Sequence, residues 1–144
     1  MAGSLRDLST RLRKLAKDIP LQVNRLKIDV TLTIQFKLTE ITPVDTTKAV
    51  SNWKVTRVAP FPNDIEPYSP GFLGYTAHAS ITAARADAQK NLKGVKPGET
   101  VFIVNNADYI KDLNNGSSRQ APAGFVEASV MLGRKKIKDF KFKF

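Results

Sequence analysis

The first forty residues constrain the fold most. Leu5, Leu8, Leu12, Leu15 and Ile19 recur at spacings of three and four, which lines them along one side of a helix, with Arg6, Arg11, Arg13, Lys14 and Lys17 around them. The spacing predicts a basic amphipathic helix over 1–19. Pro20 has no amide hydrogen to give to an ongoing helix, so it ends or kinks this one, and Asp18 can cap a second helix starting near Pro20. The next stretch decides the fold class. From Leu26 to Leu38 apolar and polar residues alternate strictly, as in a half-buried strand, and the β-branched content agrees. A helical template also fits, through Val23, Leu26, Val30, Ile34, Leu38 and Ile41. Pattern alone favours the strand.

Downstream the signals are shorter. "TPVDTT" reads as a turn, and "NWKVTRVAP" as a strand with Trp53, Val55 and Arg57 on one face. "FPNDIEPYSPG" has three prolines in eleven residues and must be an extended connection. Ser80 can cap an Ala-rich helix that turns Ile81, Ala84, Ala88 and Leu92 inward and stops at Gly94. "KPGETVFIVNN" is a turn and a strand carrying Val101 to Val104. Val126, Val130, Gly133, Ile137 and Phe140 predict a final helix from near Pro122, and the closing "FKFKF" is an added strand or a frayed tail.

With 144 residues, 42% of them hydrophobic and 25% charged, the chain has the composition of one folded domain over 1–144. Its net charge of +10 is unevenly spread. Residues 1–27 carry +5 and residues 134–144 another +5, while 28–133 hold ten charges of each sign. Two basic ends on a neutral body suit a polyanion or an acidic protein. Candidate contacts with DNA or an acidic partner are Arg134, Lys135, Lys136, Lys138, Lys141 and Lys143, in a basic C-terminal tail over 134–144.

The absence of cysteine removes disulfides and thiolate metal sites, and His78 is the single imidazole. Ser117 and Ser118 lie in "NNGSSRQ", not in a nucleophile elbow, and "GVKPGET" lacks the ordered Gly-Lys-Ser/Thr of a phosphate loop. Asp64 with Glu66 and Asp108 with Asp112 read as surface carboxylates. No catalytic residue, metal site or cofactor is expected, and neither a signal peptide nor a membrane span.

Four stretches together resemble one family: "TPVDTTKAVSNW" at 42–53, "YSPG" at 68–71, "VFIVNNADYIKDLNNGSS" at 101–118 and "RQAPAGFVEASV" at 119–130. In order and spacing they are similar to the tail-completion or neck proteins of tailed bacteriophages, in particular the minor tail protein Z group of lambda-like phages. The resemblance implies a virion protein of the head-to-tail junction, assembled in the host cytoplasm as a ring of six or more copies. Its implied neighbours are neck, connector and tail-tube proteins, with packaged DNA close by. The resemblance also implies a helix between Pro20 and Ile41, and we adopt that reading over the strand. At Thr47 family members usually have glycine, so Thr47 is expected to avoid positive φ.

The expected fold is therefore α+β: a small, mostly antiparallel sheet including 53–58 and 100–105, packed with long N-terminal helices, the Ala-rich helix and the C-terminal helix. In the loop at 109–125, Tyr109 and Leu113 should tether the chain to the core, and Asn114 to Gly116 should reverse it. Asn114, Asn115, Ser117, Ser118, Arg119 and Gln120 are the candidate subunit or partner interface. The function expected is non-enzymatic virion assembly; the alternative is a small basic nucleic-acid-binding protein acting outside a ring.

Overall fold

The computed structural model describes residues 3–144. Its elements, in chain order, are α1 (Leu5–Ile41), α2 (Lys48–Ser51), β1 (Lys54–Arg57), α3 (Ala77–Leu92), β2 (Val101–Val104), α4 (Ile110–Asn114) and α5 (Phe125–Asp139). The α+β class holds, with β1 and β2 forming a two-stranded antiparallel sheet in which Lys54 faces Val104 and Arg57 faces Val101.

The expected break at Pro20 does not occur. α1 is one helix of 37 residues with Pro20 inside it, about 55 Å long at 1.5 Å per residue. Pro20 is exposed, so the carbonyl that loses its helical partner faces water and needs no protein donor. Asp18 accordingly caps nothing. At the start, Ser4 and Asp7 form a reciprocal capping box, with Asp7 N donating to Ser4 Oγ at 3.2 Å and Ser4 N to Asp7 Oδ2 at 2.9 Å. Residues 1 and 2 of the predicted 1–19 segment lie outside the described residues.

Residues 26–38 are helical, and the burial pattern accounts for their alternation. This half of α1 is covered on two sides. Ile28 and Leu32 pack on a cluster of Val55, Ala88, Leu92 and Val95, from β1, α3 and the turn after it. Ile34 and Ile41 pack on Leu38, Trp53, Ala121 and Phe125. Ile103 of β2 touches both clusters. A helix buried on one side shows a single stripe; one buried on two sides places apolar residues in both registers, which mimics a period of two.

α5 runs antiparallel to α1, since Gly133 meets Val30 and Ile34 while the later Lys136 pairs with the earlier Asp29 at 2.8 Å. An ideal Cβ on Gly133 would lie 2.5 Å from Ile34 Cδ1, so glycine sets how closely the helices approach. The buried line of α5 is Phe125, Ser129 and Gly133; it is rotated from the predicted stripe, leaving Val126 and Val130 half-buried and Ile137 exposed. The helix begins at Phe125, and Arg134 to Lys138 lie within it, so the predicted tail is helical over its first half. "FKFKF" is not a strand: Phe140 and Phe142 meet edge to face, and Phe142 and Phe144 stack.

α3 starts at Ala77, earlier than expected, and Ser80 lies inside it rather than capping it. Ala84, Ala88 and Leu92 are buried as predicted, Ile81 is half-buried, and Gly94 follows the end at φ 76°.

Candidate functional site

Of the four stretches that carry the family resemblance, the last two are contiguous and the others lie some distance before them in sequence. All four meet at the C-terminal end of α1. Trp53 Nε1 donates to Thr42 Oγ1 at 2.8 Å, and Thr42 Oγ1 donates to Leu38 O, which ties α2 and β1 to the end of the long helix. Asn105 Nδ2 donates to Ala49 O at 2.8 Å, bringing in the chain after β2. Val44 N donates to Gln120 Oε1 at 3.0 Å, bringing in the loop before α5.

"YSPG" joins through hydroxyls. Thr47 Oγ1 donates to Ser69 O at 3.2 Å and accepts from Ser80 Oγ at 3.0 Å, and Ser80 Oγ accepts from Ser69 N at 3.1 Å. Thr47 and Ser80 are fully buried. Thr47 also corrects an expectation: it stands at φ 66°, in the left-handed region it was expected to avoid. A β-branched residue there is strained by about 1–3 kcal/mol, and the buried hydroxyl bonds, which glycine could not make, hold it in place.

The proline-rich connection at 58–76 is fixed by side chains, since it has no sheet partner. Asn52 Nδ2 donates to Ile65 O at 2.9 Å and Asn52 Oδ1 accepts from Ile65 N at 2.8 Å. Asn106 Nδ2 donates to Phe61 O at 2.7 Å. Lys54 Nζ, almost buried, donates to Asp87 Oδ2 at 2.6 Å and to Tyr68 OH at 2.9 Å. Burial pushes the Lys54 pKa down, but Asp87 and Tyr68 outweigh it and hold the ammonium above its usual value.

The predicted interface residues fall into two sets. Asn114, Ser118 and Gln120 serve the chain's own loops. Asn114 Oδ1 accepts from Val126 N at 2.9 Å, Asn114 O accepts from Gly124 N at 2.7 Å, and Asn114 Nδ2 donates to both oxygens of Glu127. Asn114 thus covers the start of α5, where Gly124, at φ 78°, has no side chain to do so. Ser118 Oγ accepts from Gln120 N at 3.1 Å. Asn115, Ser117 and Arg119 are exposed, and their side chains make no hydrogen bond among the described residues. The core tether is Ile110 with Leu113; Tyr109 is partly exposed, on the rim of an open cavity of about 300 Å³ shared with Pro43, Asp45 and Gln120.

The Asn114 hydrogen bond, with one from its own backbone N–H, holds the Glu127 carboxyl below the usual carboxylate range. A depressed carboxylate pKa adds stability above the unfolded value of 4.5, and that stability is lost as pH falls through the folded value. Glu99, lowered by the Lys96 backbone and Arg57 against the opposing effect of desolvation, contributes in the same acid window. Glu127→Gln should therefore flatten part of the fall in Tm below that pH. Thermal melts across the carboxylate range check this, and an unchanged slope would refute it.

The basic ends meet as well. Gln22 Oε1 accepts from Lys143 N at 2.9 Å and Gln22 Nε2 donates to Lys143 O, pinning the last residues to the exposed half of α1. Lys136 is paired with Asp29 and Arg134 lies against Met131, while Lys135, Lys138, Lys141 and Lys143 keep exposed side chains with no salt bridge among the described residues. Sequence reasoning missed the exposed "GFLGY" loop at 71–75, whose signal was two aromatics and a leucine interleaved with two glycines in no regular period.

Among the described residues no helix is long and apolar enough to cross a membrane, and no group of His, Asp and Glu is arranged to hold a metal ion. No family model matches the chain, nor does any curated protein or solved structure.

Proposed function

We propose that the chain is a non-enzymatic structural subunit of a tailed-bacteriophage virion, which completes the tail and joins it to the head as one copy in a ring of six or more. The observation that carries this reading is the meeting of all four family-like stretches in one hydrogen-bonded junction at the end of α1. A shared surface role requires those stretches to be neighbours. Asn115, Ser117 and Arg119 are the residues there free to meet neck, connector or tail-tube proteins.

The test separates interface from folding. Arg119→Ala should leave stability within about 0.5 kcal/mol, as at other exposed positions, while tail completion per folded molecule falls. Gln120→Ala should cost about 1 kcal/mol, because Val44 N–H then has no acceptor in the loop. Normal tail completion by the Arg119 variant would refute its place in the joint.

A second reading, nucleic-acid binding outside a ring, is favoured by one observation: the Gln22–Lys143 pairing joins the basic C-terminal tail to the basic N-terminal segment. Changing Lys135, Lys138, Lys141 and Lys143 to Gln should weaken duplex binding and shallow its salt slope by up to about 0.9 for each phosphate no longer neutralised. Unchanged binding to DNA would leave these lysines as solubilising charge.

A further inference from the structure

We propose that the free N-terminal half of α1 is a docking arm that binds the "GFLGY" face of a second copy of this chain, so that copies associate head to tail. The proposal rests on the ring reading above. Its test reads association of the purified protein and not tail completion, so either can fail alone.

The arm is preformed but uncovered. The capping box fixes the helix from Leu5, yet Leu5, Leu8 and Leu12 are each more than half exposed, Leu5 at 85%. Scattered surface leucines need no explanation, whereas a line of them at helical spacing marks an interaction surface. Around the line stand Arg6, Arg11, Arg13, Lys14 and Lys17.

The opposite end of the molecule has the complementary character. Phe72, Leu73 and Tyr75 are 67%, 73% and 81% exposed, with the two rings edge to face at 6.2 Å. Leu73 is held at φ 56°, rare for a leucine, because its N–H donates to Asp45 Oδ1 at 2.7 Å and Gly74 N donates to Asp45 O at 3.0 Å. Such a conformation persists only where its surroundings fix it, and here it presents apolar side chains to solvent. The segments that build this end, 38–47 and 58–76, contain Glu40, Asp45, Asp64 and Glu66; the flanking Lys37 and Lys48 pair with Glu40 and Asp64, which leaves Asp45 and Glu66 as the acidic excess of the face. Charge complementarity thus supplies the direction, basic arm to acidic face.

The length of α1 supplies the stoichiometry. Arm and face lie at opposite ends of a helix about 55 Å long, so one chain cannot satisfy itself. The interface is heterologous, and repeated around an axis it closes a ring or, failing closure, builds a filament. An arm of a few turns is smaller than the roughly 20–30 residues a side of a stable interface, so association is concentration-dependent in dilute solution.

Sedimentation of the full-length chain over a range of concentrations and salt tests this. The expected result is an average mass that rises with concentration and falls with added salt. Leu8→Glu with Leu12→Glu on the arm, or Phe72→Ser with Tyr75→Ser on the face, should each give monomers with wild-type helical signal and Tm; Leu8→Gln with Leu12→Gln serves if the charged pair perturbs folding. An equimolar mixture of the arm and face variants should restore association but stop at heterodimers, because only one intact arm and one intact face remain. Overturning results are a wild-type chain that stays monomeric, a face variant that associates like wild type, or a mixture that stays monomeric. Association that needs added duplex DNA would assign the arm to nucleic acid and overturn the proposal equally.

Discussion

Replacing Phe125 by alanine should destabilise the fold by about 3–5 kcal/mol, a large share of a stability near 5–15 kcal/mol for a domain of this kind. The ring is fully buried where α1, α4 and α5 converge, against Leu38, Trp53 and Ala121, with Ile34, Ile110 and Leu113 at its edges. Neighbours on two helices and two connecting segments cannot collapse together into the space, so the cavity cost adds to the forfeited transfer energy. Urea unfolding should show a lower midpoint with an unchanged slope. Phe125→Leu, which keeps most of the volume, should cost much less. A loss below about 1 kcal/mol for the alanine variant would mean that the cluster does not depend on this ring.

The second large effect is expected at Gly133, through crowding. A Cβ there would stand 2.5 Å from Ile34 Cδ1, 2.7 Å from Ile34 Cγ1 and 3.1 Å from Val30 Cγ1. Gly133→Ala gains about 1 kcal/mol of helix propensity, which offsets the shift forced on Ile34, so it should be close to neutral. Gly133→Val brings two more methyl groups into the same space and should cost about 1–3 kcal/mol. Ile34→Ala in the same chain should recover part of that loss, since the pair shares one volume. A valine variant as stable as wild type, or a double variant with no recovery, would refute close α1–α5 packing at this point.

Local sequence determined several elements by itself. The leucine spacing at 5–19, the Ala84–Ala88–Leu92 line of α3, the inward Trp53 before the first strand and Val55 within it, and the stop near Gly94 all follow from side-chain period and backbone freedom within one turn or one strand. The confinement of net charge to the two ends is also plain in the sequence. For the candidate site, the apolar anchor Phe125 is legible from residue type.

What the tertiary structure decided was everything that depends on a distant partner. Residues 26–38 read as a strand because both sides of their helix are covered, and coverage is supplied by α3, α5 and the sheet. Pro20 reads as a break because the freed carbonyl normally carries a cost, which water removes on an exposed helix. Thr47 sits at positive φ because Ser69 and Ser80, far along the chain, bond its hydroxyl. Asn114, Ser118 and Gln120 look identical in character to Asn115, Ser117 and Arg119; only folding reveals which of these polar groups find partners within the chain. The two basic segments touch for the same reason, since antiparallel packing of α5 on α1 brings residues 22 and 143 within hydrogen-bonding distance, and no local pattern encodes a pairing at that separation.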